Sequence, residues 1–170
     1  MIKQGISENQ ANYTYLGIGS NLGNRKLNIE KAKFYLSENG IKFIKVSKYY
    51  QTPSWPDPSN PQFLNIALKI KCYLKPIDLL EIYKSIEILL GRKKDIKNSP
   101  RLCDIDILDF KGIILNKGLI LPHRSMHKRN FVLFPLLEIE KQWYHPKFKV
   151  DVKKLIFLLP NKDIRSIKQI

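Results

Sequence analysis

Apolar positions along the chain alternate between short β-prone runs and longer stretches with helical spacing. Residues 13–18 form a β-prone run that stops at Gly19-Ser20-Asn21-Leu22-Gly23-Asn24, a cluster of turn formers. Residues 25–37 place Leu27, Ala32 and Leu36 at helical spacing, and Asn39-Gly40, tolerant of a left-handed backbone, close that helix. Residues 41–51 alternate in places through Val46, Tyr49 and Tyr50 and predict one strand. Pro53, Pro56, Pro58 and Pro61 make 52–61 an ordered loop, since proline donates no N–H to a helix or central strand. Residues 63–74 resume as a strand through Leu64, Ile66, Ala67, Leu68 and Ile70. Pro76 suits a first helical turn, residues 77–90 keep helical spacing, and Gly91 ends the segment.

The second half continues the alternation. Residues 92–100 are a polar, basic loop and 101–110 a strand. Residues 113–115 pair with that strand or with a neighbour, and 119–121 is a further short β-prone segment. Residues 130–139 read as helical despite Pro135, and 152–159 as a final amphipathic helix. This order predicts a single α+β domain over 13–160, a sheet with helices packed on it. A polar extension (1–12) precedes it and a tail (161–170) follows. A length of 170 residues suits one such core.

Composition narrows the class. Hydrophobic residues at 44%, with 8 Phe, 8 Tyr and 2 Trp, are enough to close that core. No run approaches the roughly 18 apolar residues a membrane span needs, and the polar start lacks a secretory core, so the cytoplasm is expected. Cys72 and Cys103 lack metal-ligand spacing and read as buried thiols. The formal charge of +15 attracts polyanions. Lysine is spread along the whole chain as a solvated basic surface. Four of the six arginines (Arg92, Arg101, Arg124 and Arg129) fall between 92 and 129. Planar guanidinium groups favour bidentate phosphate contacts, so that segment is where a phosphate site is expected.

The sharpest chemistry is Arg101-Leu102-Cys103-Asp104-Ile105-Asp106-Ile107-Leu108. On a strand, Asp104 and Asp106 share one face and Ile105 and Ile107 the other. Two adjacent carboxylates repel, and a hard cation such as magnesium relieves that repulsion while bridging to phosphates. Arg92, Arg101, His123, Arg124 and Arg129 surround this motif in sequence, the positive setting phosphoryl transfer requires. His127 and His145 lack such neighbours and read as surface residues. The Gly19–Gly23 turn could offer backbone N–H groups to an anion but lacks a P-loop ending. Phe63-Leu64-Asn65 places an aromatic face beside an amide, suited to a flat heterocycle, although a strand aromatic is ordinarily core. These residues point to a magnesium-dependent enzyme moving a phosphate-containing group from ATP. A nucleotidyltransferase, or a basic nucleic-acid-binding module, remains the alternative.

The chain resembles the 6-hydroxymethyl-7,8-dihydropterin pyrophosphokinases. The resemblance is carried by residues 15–25, Tyr50-Gln-Thr-Pro53, Gln62-Phe-Leu-Asn65, Ile86-Glu87 with Gly91-Arg92, residues 97–108, Leu121-Pro-His123, and Met126 through Leu133. It implies a ferredoxin-like α-β-α sandwich with a mainly antiparallel sheet. It also implies transfer of pyrophosphate from ATP to the pterin hydroxymethyl group, with release of AMP, in folate biosynthesis. Asp104 and Asp106 would hold two Mg²⁺ ions, and Arg92 and Arg101 would contact phosphates. Glu87, Ile107, His123 and Arg129 match ATP-site positions, and Lys84 stands where the family often has a different polar residue. Phe63 and Phe131 match the aromatics that sandwich the pterin, Asn65 its hydrogen-bonding amide, and Thr52 and Pro53 further contacts. The implied partners are ATP and a pterin, with no nucleic acid and no membrane; a monomer is expected, with a dimer left open. Asn98-Ser99 replaces the family's usual Trp-Gly, and the 92–101 segment is about one residue short.

Overall fold

The computed structural model describes residues 13–92 and 99–170. The chain runs β1 (Thr14–Ser20), α1 (Arg25–Glu38), β2 (Lys42–Val46), β3 (Tyr50–Thr52), β4 (Phe63–Lys71) and α2 (Pro76–Leu89). It continues with β5 (Asp104–Phe110), β6 (Leu115–Lys117), β7 (Leu119–Leu121), a 3-10 turn (Met126–Lys128), α3 (Asn130–Ile139), α4 (Val152–Phe157), α5 (Asn161–Ser166) and β8 (Lys168–Gln169).

The main sheet is antiparallel, in the order β5-β1-β4-β3-β8, with β2 also paired to β4. Strand period two divides β4 between two cores. Leu64, Ile66, Leu68 and Ile70 pack with Ile29, Ala32 and Leu36 of α1 and with Leu79, Tyr83 and Ile86 of α2. Ala67, with Tyr15 and Leu108, packs instead on Leu133 and Leu136 of α3, Val152 and Leu155 of α4, and Trp143. The result is an α-β-α sandwich. Among the described residues no helix is long and apolar enough to cross a membrane. Cys72 and Cys103 are free and buried.

Local signals explain the helix ends. Asn24 caps α1 by accepting the Leu27 N–H at 3.1 Å, and Gly40 leaves it at φ +76°. Pro76 opens α2 and Gly91 follows it at φ +94°. Where the structure departs from the pattern, long-range pairing is the reason. The single strand expected over 41–51 is two strands lying along β4. Between them the Ser47 hydroxyl accepts the Ala67 N–H at 2.9 Å, taking a place a backbone carbonyl would fill. The strand expected to reach residue 74 stops at Lys71, and the one expected from 101 starts at Asp104. Leu115 pairs with Leu121 across a turn through Gly118. Residues 161–170 carry α5 and β8, and β8 extends the sheet beside β3.

Trp143 ties the second core to the sheet, donating its indole N–H to Asp109 Oδ2 at 2.9 Å in a fully buried pair. Trp143→Phe removes that donor from a buried carboxylate. It is expected to cost about 1–3 kcal/mol, read as a lower urea midpoint with kcat retained.

Candidate active site

Asp104 and Asp106 stand at the open end of β5, opposite Gly19 and Gly17 of β1. A Cβ at Gly19 would meet Asn65 and Phe63, and one at Gly17 would meet Leu108, so these glycines make room for the side chains that line the site. The expected division of faces holds: Ile105 and Ile107 point into the core beneath α1 and α2. Farther along β5 the register with β1 skips Leu108, so Leu108 and Asp109 both serve the α3 side while Ile107 and Phe110 serve the other. The bulge turns Asp109 to that face, while Leu108 lies under the site by the ordinary alternation from Asp106.

Four basic side chains converge on the two carboxylates. Arg101 Nη1 lies 3.0 Å and Arg92 Nη1 3.2 Å from the same Asp104 oxygen. Arg129 Nη1 lies 3.5 Å and His123 Nε2 3.9 Å from Asp106 Oδ2. Glu87 of α2 pairs with Arg92 and also accepts the Ile105 N–H at 2.7 Å, fixing both the arginine and the strand edge. Burial raises the Glu87 carboxyl above its usual range. Burial, then the charge of Asp104, pushes Asp106 up to about 7. Burial and Arg129 push His123 down to about 4. His123 is therefore neutral at physiological pH and its approach to Asp106 is no ion pair. Its Nδ1 accepts the Ser125 N–H at 3.3 Å, which leaves the hydrogen on Nε2, facing the site.

The same cavity, about 220 Å³, continues from the carboxylates to an aromatic end lined by Phe63, Phe131, Trp55 and Asn65. Asn65 donates to Thr52 Oγ1 at 3.2 Å. Its carbonyl oxygen lies over Gly19, 2.8 Å from where a Cβ would stand. Arg129 joins the two ends. Its guanidinium carbon is 5.0 Å from the Trp55 ring centroid and 5.5 Å from that of Phe131, and its Nε is buried without a hydrogen-bond partner.

Thus Arg92, Arg101, Asp104, Asp106, His123, Arg129, Phe63, Asn65 and Phe131 share one cavity. Glu87 and Thr52 sit behind it as hydrogen-bond partners of its lining. Lys84 is exposed on α2, Ile107 lies in the core, and neither they nor Pro53 line the cavity. Asn98 lies outside the described residues. His145, read as a surface residue, is buried, stacked on Phe148 with ring centroids 4.3 Å apart. Its burial and the nearby His127 push its pKa down to about 4. His127 is half-buried, edge-on to Phe148. Trp55 was not singled out by the residue pattern; a tryptophan amid prolines is its one visible signal. The Gly19–Gly23 turn spends the Asn21 N–H on the Arg101 carbonyl at 3.1 Å.

Carboxylates ringed by arginines, beside an aromatic slot in an α-β-α sandwich, define a transferase acting on a phosphorylated co-substrate and a flat acceptor. The chain belongs to the 7,8-dihydro-6-hydroxymethylpterin-pyrophosphokinase family, whose model matches residues 15–141. It is 42% identical over 127 residues to the 2-amino-4-hydroxy-6-hydroxymethyldihydropteridine pyrophosphokinase of Methylorubrum extorquens, covering 74% of this chain and 80% of that one. It is 41% identical to the same-named protein of Aquifex aeolicus, covering 82% and 88%. The folic acid synthesis protein FOL1 of Dictyostelium discoideum is 36% identical over 88% of this chain, which spans 23% of that protein. Among solved structures, a Plasmodium falciparum HPPK-DHPS with pterin and p-hydroxybenzoate superposes with TM-score 0.70 at 15% identity, over 99% of this chain and 48% of that one. These neighbours establish the ferredoxin-like α+β fold; the chain spans less than half of the solved chain.

Proposed function

We propose that this chain transfers pyrophosphate from ATP to 6-hydroxymethyl-7,8-dihydropterin, releasing AMP, as a step of folate biosynthesis. The observation that carries this reading is one cavity with paired carboxylates and arginines at one end and an aromatic–amide slot at the other. The donor set suits magnesium: two carboxylates on one face, with Asp106 raised by burial and then by the charge of Asp104. Asp104 and Asp106 are the residues that would hold two Mg²⁺ ions, which when bound neutralise the triphosphate. Arg92 and Arg101, freed from Asp104, bind phosphate oxygens. Arg129 offers its partnerless Nε to the same group, and His123 a neutral N–H. Phe63 and Phe131 stack the pterin, while Asn65, oriented by Thr52, hydrogen-bonds its edge. The pterin hydroxyl oxygen bonds to the β-phosphorus as the bond to the AMP oxygen breaks. AMP leaves with that electron pair, and the hydroxyl proton is lost.

The test is to mix the protein with Mg-ATP and hydroxymethyl-dihydropterin and to follow the nucleotide. AMP is expected only when the pterin is present. ADP, free pyrophosphate, or product without pterin overturns the assignment. Two further outcomes follow from the site. Gly19→Ala drives a methyl into Asn65, so the pterin KM is expected to rise roughly tenfold, about 1.4 kcal/mol, with the ATP KM little changed. Protons compete with metal at Asp106, whose pKa is about 7. Below that pH, Mn²⁺ affinity measured by calorimetry without nucleotide should fall about tenfold per pH unit. Above it, affinity should level off.

A further inference from the structure

Asn21 joins the two ends of the cavity. It follows β1, is 3% exposed, and lies in the turn whose role the reaction above leaves unused. Its Oδ1 accepts the Arg101 N–H at 2.7 Å, and its backbone N–H donates to the Arg101 carbonyl at 3.1 Å. Its Nδ2 donates to the Pro61 carbonyl at 3.1 Å. The amide orientation is forced, because a backbone N–H can only donate and a proline carbonyl can only accept. One side chain therefore grips two backbones. The first leads within three residues to Asp104, and carries the guanidinium that sits 3.0 Å from it. The second leads within two residues to Phe63, at the end of the proline loop that also presents Trp55 to the cavity.

We infer that Asn21 is a positioning residue that couples the aromatic end of the site to the phosphate end. Its carbonyl oxygen sets Arg101, and its amide nitrogen sets the mouth of the proline loop. This inference rests on the pyrophosphokinase reading, in which the two ends take different substrates. The two grips use chemically different atoms, so they can be separated. Asn21→Asp keeps an acceptor for the Arg101 N–H but, once ionised, cannot donate to Pro61. Asn21→Ala loses both.

The experiment is steady-state kinetics at pH 8.5, with each substrate varied in turn, alongside thermal unfolding. The wild type is assayed first, and absence of pterin-dependent AMP formation there overturns the underlying assignment, and this inference with it. With an active wild type, Asn21→Asp is expected to raise the pterin KM about tenfold while the ATP KM stays within about twofold. Asn21→Ala is expected to raise both and to lower kcat. A purely structural amide would lower the unfolding midpoint and shift neither KM selectively. That result, or equal shifts in both KM values for Asn21→Asp, overturns the inference. Asn21→Asp alone decides the question if the alanine variant does not fold.

Discussion

Asp104→Asn or Asp106→Asn should lower pterin-dependent AMP formation on the order of a thousand-fold or more. At pH 8, Asp106→Asn should also leave the folded protein more stable. The first effect follows from removing a hard oxygen donor that asparagine cannot replace in charge. The second follows from what the site costs the fold. Asp106 is pushed up to about 7 by burial and by Asp104, from the ordinary carboxylate value of 3.8. A carboxyl raised in the folded state binds its proton more tightly there than in the unfolded chain. The folded state is thus favoured below about 4, and the advantage is lost as pH rises through 7. At pH 8 the wild type bears the full cost of the charge. The side chain is 35% exposed, so solvent screening reduces that cost to roughly 1–2 kcal/mol. At ~2–4 °C per kcal/mol for a domain this size, the midpoint should rise by a few degrees at pH 8. It should not differ from wild type below pH 4. An active Asp106→Asn enzyme, or one less stable at pH 8, would contradict this account.

Arg101→Ala is expected to lower kcat by about 10²–10⁴ while Mn²⁺ binds the free enzyme more tightly than in wild type. The opposite signs are the informative part. Arg101 and Arg92 meet on one oxygen of Asp104, 3.0 and 3.2 Å away, where a cation would also sit. Removing one guanidinium deletes a competitor for the carboxylate and, equally, a donor for the phosphates. Arg101→Lys should recover only part of the rate, because a point charge lacks the planar fork. Rapid-quench kinetics and metal calorimetry on the same preparations read the two effects. Weaker metal binding in Arg101→Ala would show that the arginine supports the metal site.

The ends of α1 and α2 were legible because their causes are local, whereas α5 lies in the stretch read as a tail. Asn24, Gly40, Pro76 and Gly91 act within a turn of themselves. The Ser47 break was not, since that hydroxyl interrupts a strand only once Ala67 lies beside it. The burial of His145 was missed although Trp143 and Phe148, whose rings enclose it, stand two and three residues away. No period marks the turn that folds them over it, and His127 reaches it from a distant segment. The short β8 has no alternation of its own and becomes a strand only by pairing with Tyr50 and Gln51. Lys84 and Ile107 carried motif positions, yet neither faces the cavity.

The paired aspartates show where the division lies. Strand periodicity alone puts Asp104 and Asp106 on one face and Ile105 and Ile107 on the other, because a period of two is a property of the backbone. The nearby arginines could be grouped by sequence distance, and the metal and phosphate chemistry followed from residue types. Tertiary structure decided what that face looks onto. The order β5-β1-β4 sets glycines of β1 beside the carboxylates and brings Phe63 and Asn65 to the same end of the sheet. It also lets Asn21 reach Arg101, 80 residues away. Such contacts depend on which strands pair, and pairing is settled by burial of whole faces, which no short stretch of sequence encodes.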